Sequence, residues 1–76
     1  MELVGKIYQK INSSSGYILG SDDKLYLYFS YDFLEDFDDK IGEAVLFKPI
    51  ESKILRATYI SKYYGDDLVN VYENCN

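Results

Sequence analysis

The chain has 76 residues and no internal repeat, which leaves room for one small domain with a thin core. Thirteen acidic residues against eight basic ones leave a net charge of −5, and the absence of histidine excludes an imidazole base, proton shuttle or metal ligand. Nine tyrosines stand beside four phenylalanines and no tryptophan, so any aromatic surface must be built mainly from phenol rings.

In chain order, alternation of period two dominates. Val4 to Ile11 reads as a first strand, with Ile7 and Ile11 on one side and Tyr8 and Lys10 on the other. Asn12-Ser13-Ser14-Ser15-Gly16 is a turn cluster, because short polar side chains bond their own backbone and glycine tolerates positive φ. Tyr17-Ile18-Leu19 forms a second strand, and Gly20 to Lys24 a second turn. Leu25-Tyr26-Leu27-Tyr28-Phe29 is the clearest strand: Leu25, Leu27 and Phe29 face one way and Tyr26 and Tyr28 the other. Ser30 to Ile41 is an acidic and aromatic connector that fits a short helical turn better than a strand.

Gly42-Glu43 precedes a fourth strand, Ala44 to Lys48, with Pro49 at a strand end or edge where its missing N–H is tolerated. A short turn leads to a fifth strand, Ile54 to Ser61. Residues 63–76 form a C-terminal extension with a short apolar run, Leu68 to Tyr72, which adds a strand, makes a helical turn or lies loose; the pattern leaves the three open. Five short strands predict an all-β chain closed into a small antiparallel Greek-key barrel over residues 1–62, since closure removes exposed edges. An SH3-like barrel has the same strand count, and the pattern alone does not separate the two.

Catalysis finds little support. There is no Ser/His/Asp set, no Cys/His pair and no glycine loop for phosphate, and the carboxylates fall in loops where burial does not tune them. The single cysteine, Cys75, has no partner for an intrachain disulfide, and a reducing cytoplasm is the compartment expected for so small a domain without cystines. Asp36, Asp38 and Asp39 lack the defined turn of a calcium loop, so neither metal nor cofactor is expected. No apolar stretch approaches the ~20 residues that span a bilayer, and Met1 to Lys6 has no leader pattern, so no membrane is expected as a partner.

Five segments in order resemble the cold-shock domain, an OB-fold family. Gly5-Lys6-Ile7 resembles its first strand, Asn12-Ser13 with Gly16-Tyr17 its first ribonucleoprotein motif, and Leu25 to Ser30 its second, V-F-V-H-F-S. Gly42 to Phe47 resembles the entry to strand four, and Ile60-Ser61-Lys62 the closing V-T-K. The chain departs from the family in several places. The tryptophan of strand one falls at Gln9 or Lys10, the second phenylalanine of the first motif is Leu19, and the histidine of the second is Tyr28. Ile18 and Gly20 exchange the motif's glycine and isoleucine on one face, a trade that keeps the core filled.

The resemblance implies a binder of single-stranded RNA or DNA, an RNA chaperone or a regulator; the chain is expected as a monomer rather than a dimer, and not as an enzyme. Its platform would be Tyr17, Tyr26 and Tyr28, with Tyr8 beside them, Leu19 and Phe29 at family positions, Phe37 as a loop aromatic on the ligand, and Lys10 and Arg56 toward phosphates. Stacking of this kind is worth roughly 1–3 kcal/mol per base and tolerates sequence. Alternation leaves the facing of Arg56 open. The alternative is a worn cold-shock-like barrel that docks a protein partner through its acidic surface.

Overall fold

The computed structural model describes residues 1–65; the Leu68–Tyr72 run and Cys75 lie outside the described residues. Five strands are present: β1 Leu3–Asn12, β2 Ser15–Gly20, β3 Leu25–Phe29, β4 Ala44–Glu51 and β5 Leu55–Lys62. They close into a barrel in the order β1-β2-β3-β5-β4, with β1 bonded to both β2 and β4. This is the strand order of an OB-fold-like barrel, and it decides against the SH3-like alternative. Four of the five junctions are antiparallel. The fifth, β3 with β5, is parallel at Leu27↔Arg56, so the expected all-antiparallel barrel is corrected at one seam. A long crossover makes that seam possible, since parallel neighbours cannot be joined by a tight hairpin.

The connector carries a single 3₁₀ turn, Ser30–Asp32, and then runs irregularly to Gly42. It is tied down at intervals: the Leu34 N–H donates to the Ile60 carbonyl at 2.8 Å, and Glu35 Oε2 accepts from the Lys62 N–H at 2.9 Å. β4 runs through Pro49 to Glu51. Pro49 lies past the stretch that β1 bonds, where β4 is paired with β5 alone, so no ladder bond on its other side is lost.

Ile7, Ile18, Tyr26, Tyr28, Val45, Phe47, Ala57 and Ile60 fill the interior. Two of these were expected outside. Tyr26 is 1% exposed and Tyr28 0% exposed, and Leu25, Leu27 and Phe29 face outward instead. The cause is register. The five-residue turn is closed by the Gly20 N–H bonding the Lys24 carbonyl at 2.9 Å, and it sets Leu19 opposite Leu25, Ile18 opposite Tyr26 and Gly16 opposite Tyr28. Ile18 is fully buried, as the glycine–isoleucine trade predicts, so everything opposite its row is buried too. A shift of one residue turns a whole strand over.

Glycines on β2 make room for the inward tyrosines. A Cβ built on Gly16 collides with the Gln9 carbonyl and stands 2.9 Å from the Tyr28 ring, and one on Gly20 stands 3.1 Å from the Tyr26 ring. In a barrel this narrow, a phenol ring fits inside only over a residue without a side chain.

β1 also departs from simple alternation. Its ladder with β2 slips between Ile7 and Gln9 and again between Lys10 and Asn12. The first slip leaves Tyr8 as an extra, outward residue, and the second leaves Ile11 52% exposed although it was expected inside with Ile7. Among the described residues no helix is long and apolar enough to cross a membrane, and no group of three acidic or thiol side chains is placed to hold a metal.

Candidate nucleic-acid interface

Register arranges the outer face of β1–β3 as three rows. Lys6, Leu19 and Leu25 form one. Gln9 with its bulged neighbour Tyr8, then Tyr17, Leu27 and, across the parallel seam, Arg56 form the next. Asn12, Ser15 and Phe29 form the third. Tyr17, Leu19, Leu27 and Phe29 are half-buried, Tyr8 is half exposed, and Leu25 is exposed at the margin. Ser15 is buried on this face and is satisfied locally: Asn12 Oδ1 accepts its hydroxyl at 3.0 Å and the Ser14 N–H at 2.8 Å.

The densest part lies around Phe29. Its ring stacks on Tyr31 at 5.2 Å between centroids with the planes 3° apart, and the Arg56 guanidinium sits 4.8 Å from the Phe29 centroid. Tyr31 is 75% exposed and forms the outer plate of the stack. Arg56 is held by Asp32: Nη2 donates to Oδ2 at 3.1 Å, and the same oxygen accepts the Phe29 N–H at 3.3 Å. Arg56 Nε is buried and finds no acceptor among the described residues.

Five of the residues expected at the site therefore share this face: Tyr8, Tyr17, Leu19, Phe29 and Arg56. Four do not. Tyr26 and Tyr28 are inside the barrel and offer no ring to a ligand. The Tyr26 hydroxyl donates to Asp22 Oδ2 at 2.6 Å; that bond holds the Asp22 carboxyl below the usual range, while burial and the same carboxylate push the phenol up to about 12. The Tyr28 hydroxyl donates to Asp39 Oδ2 at 2.9 Å, and burial and that carboxylate push its phenol strongly upward.

Phe37 turns inward: its ring packs on Phe33 at 4.8 Å, Phe33 stacks on Tyr28 at 5.6 Å, and both partly cover the core. Lys10 falls in the row of Gly16 and Tyr28, at one end of the barrel and not on the outer sheet face, and its ammonium bonds Asp39 Oδ1 at 3.0 Å. Burial raises the Asp39 pKa, but Lys10 and the Tyr28 hydroxyl oppose it more strongly and the net shift is downward.

Leu27 and Tyr31 were missed. The signal available for Leu27 was the pair of glycines at 16 and 20 flanking Ile18, which marks the inward row of β2 and, through the turn length, of β3. For Tyr31 no signal existed, because its place is set by the 3₁₀ turn packing back on Phe29.

Cations near the face are largely neutralised. Besides Arg56 and Lys10, Lys24 lies 3.8 Å from Glu51, and Lys62, on the far strand, lies 3.2 Å from Glu43, whose hydrogen bond raises the Lys62 pKa. Lys6 has no carboxylate within 4 Å among the described residues. The fold and its outer sheet define the class of molecule, a small OB-fold-like barrel with an aromatic and aliphatic face. No family model matches the sequence, and no curated protein matches it.

Proposed function

We propose that the barrel binds single-stranded nucleic acid across the outer face of β1–β3, by stacking more than by charge. The observation that carries the reading is the plate of Phe29 and Tyr31 with the Arg56 guanidinium against it, set beside Tyr17 and Leu27 on one rigid sheet. Flat π faces and a planar cation on a sheet accept bases in succession, each worth roughly 1–3 kcal/mol, without reading their edges. The platform differs from the expected one. It uses Tyr17, Leu27, Phe29 and Tyr31, with Tyr8 at its rim, and draws nothing from Tyr26 or Tyr28. The resemblance to the cold-shock domain supports the same reading.

The test is a titration of the chain with an oligo-pyrimidine strand, followed by tyrosine fluorescence and amide shifts. The double variant Tyr17→Ala, Tyr31→Ala removes two rings that the core does not need. We expect it to fold and to lose most of its affinity. An unchanged affinity sinks the platform. A second reading, a module that docks a protein, is favoured by Leu19, Leu25 and Leu27 on the same face, since aliphatic side chains suit a protein surface better than bases. Silence toward strands up to millimolar concentration, with shifts confined to this face on adding a protein partner, decides for it.

A further inference from the structure

The acidic connector supplies the carboxylates that meet the cations closest to the binding face. Asp32 takes Arg56 at 3.1 Å and Asp39 takes Lys10 at 3.0 Å. Neither carboxylate is a loosely solvated loop charge. The Asp32 side chain is 11% exposed and Asp39 18% exposed, and each accepts a second hydrogen bond, from the Phe29 N–H and the Tyr28 hydroxyl respectively. Both anions are thus part of the folded frame, at positions that a phosphate oxygen would otherwise claim.

Resting on the single-strand reading, we infer that Asp32 is the specificity-determining residue of this face: it stands in for phosphate at Arg56, so that the face holds bases and rejects duplex. The physical logic is negative selection. A duplex hides its bases and offers a sheet mainly phosphates. With Arg56 already paired, a phosphate brought to it gains little and meets the Asp32 charge. A single strand lays its bases on Tyr31, Phe29 and Tyr17 and needs no cation. The ion pair leaves the guanidinium plane against Phe29, where it works through stacking.

Each phosphate neutralised by a free cation adds about 0.9 to the fall of log affinity with log salt for duplex, and about 0.7 for single strands. A paired Arg56 adds nothing to that slope.

The experiment measures binding of the full chain to an oligo-pyrimidine strand and to a duplex of equal length between 50 and 200 mM salt. Asp32→Asn keeps an acceptor for the Phe29 N–H and removes the charge. We expect its duplex affinity to rise, with a slope steeper by about 0.9, so that three- to fourfold more affinity is lost across that salt range. Asp36→Asn, an equal change of charge at an exposed connector position, is the control; a slope that changes equally in both overturns the inference. Arg56→Gln in the native background is an independent arm that does not require Asp32→Asn to fold. An unchanged slope supports a silent, paired Arg56, and a shallower one overturns it. A native chain that binds neither strand nor duplex at 50 mM salt overturns the single-strand reading itself, whereas strand binding with a slope that Arg56 controls overturns this inference alone.

Discussion

The inner and outer surfaces of β2–β3 carry the same kind of residue to opposite ends. Inside, Tyr26 and Tyr28 are enclosed, each hydroxyl tied to a carboxylate from a loop, Asp22 or Asp39. Outside, Tyr17 is half-buried on the sheet, Tyr31 stands nearly free on Phe29, and neither hydroxyl has a side-chain partner among the described residues. The two inward tyrosines are structural bolts, each with its ring against a glycine of β2, Tyr28 over Gly16 and Tyr26 beside Gly20, whereas the outward ones form a contact surface. The inner rings anchor loops to the barrel ends; the outer ones are left for a ligand.

The sharpest way to break the comparison is to truncate one ring from each side. Tyr28→Ala empties the space over Gly16, strips Phe33 of its stacking partner and leaves Asp39 with Lys10 alone. We expect a loss of about 3–5 kcal/mol, enough to unfold a domain of this size, while Tyr31→Ala changes stability by no more than about 0.5 kcal/mol in urea denaturation. Comparable losses for both would erase the distinction.

Filling the glycine seat is the next largest change. Gly16→Ala forces its methyl against the Gln9 carbonyl and the Tyr28 ring, and should cost about 1–3 kcal/mol by overpacking; a neutral outcome would mean that the seat is not tight.

Tyr28→Phe tests the bolt alone. It keeps the ring and removes one hydrogen bond to a charged group, for an expected loss of about 1.5 kcal/mol. A gain of stability would place the phenol's role elsewhere.

A gain is expected at the bulge of the β4–β5 ladder. Tyr59 has φ of +49° where the β4–β5 ladder slips between Leu46 and Lys48, and its ring is exposed. Tyr59→Gly relieves that left-handed backbone and should raise the denaturation midpoint, by about 1 kcal/mol of stability. A fall would show that the Lys48 ammonium over the ring, 5.6 Å from its centroid, outweighs the strain.

The pH response probes the two inner phenols most gently. The folded chain holds Tyr26 up to about 12 and Tyr28 higher, whereas the unfolded chain releases these protons near 10. Raised folded values favour the protonated fold, so the stability they contribute is complete below pH 10 and is lost as pH climbs through the folded values. For Asp39 and Asp22 the folded values are depressed, so their contribution is present above about pH 4 and is lost as acid protonates them. Ultraviolet titration of the folded chain should show Tyr26 and Tyr28 ionising well above the unfolded value near 10. Ionisation of these two phenols near 10 in the folded protein would contradict their burial.

Strand number, order along the chain and the extent of β3 were legible because alternation and turn residues are local signals. The Ile18–Gly20 trade was legible for the same reason, and both positions are buried. The resemblance to a family motif placed residues 26 and 28 one step out of phase. The motif was matched by residue type along one strand, whereas facing belongs to a pair of strands and to the turn between them. Phe37 and Lys10 were misplaced by a related cause: a connector rich in acids reads as solvated, yet here one of its carboxylates, Asp39, and two of its rings close one end of the barrel.

The sequence by itself determined that five short strands would form and that they would need to close on one another, because period-two burial and edge protection follow from residue order alone. Which rings would face water was decided only in three dimensions. The Gly20–Lys24 turn set the register, the glycines of β2 admitted two phenols to the interior, and the 3₁₀ turn laid Tyr31 on Phe29, and each of these is a relation between residues that alternation along one strand does not contain.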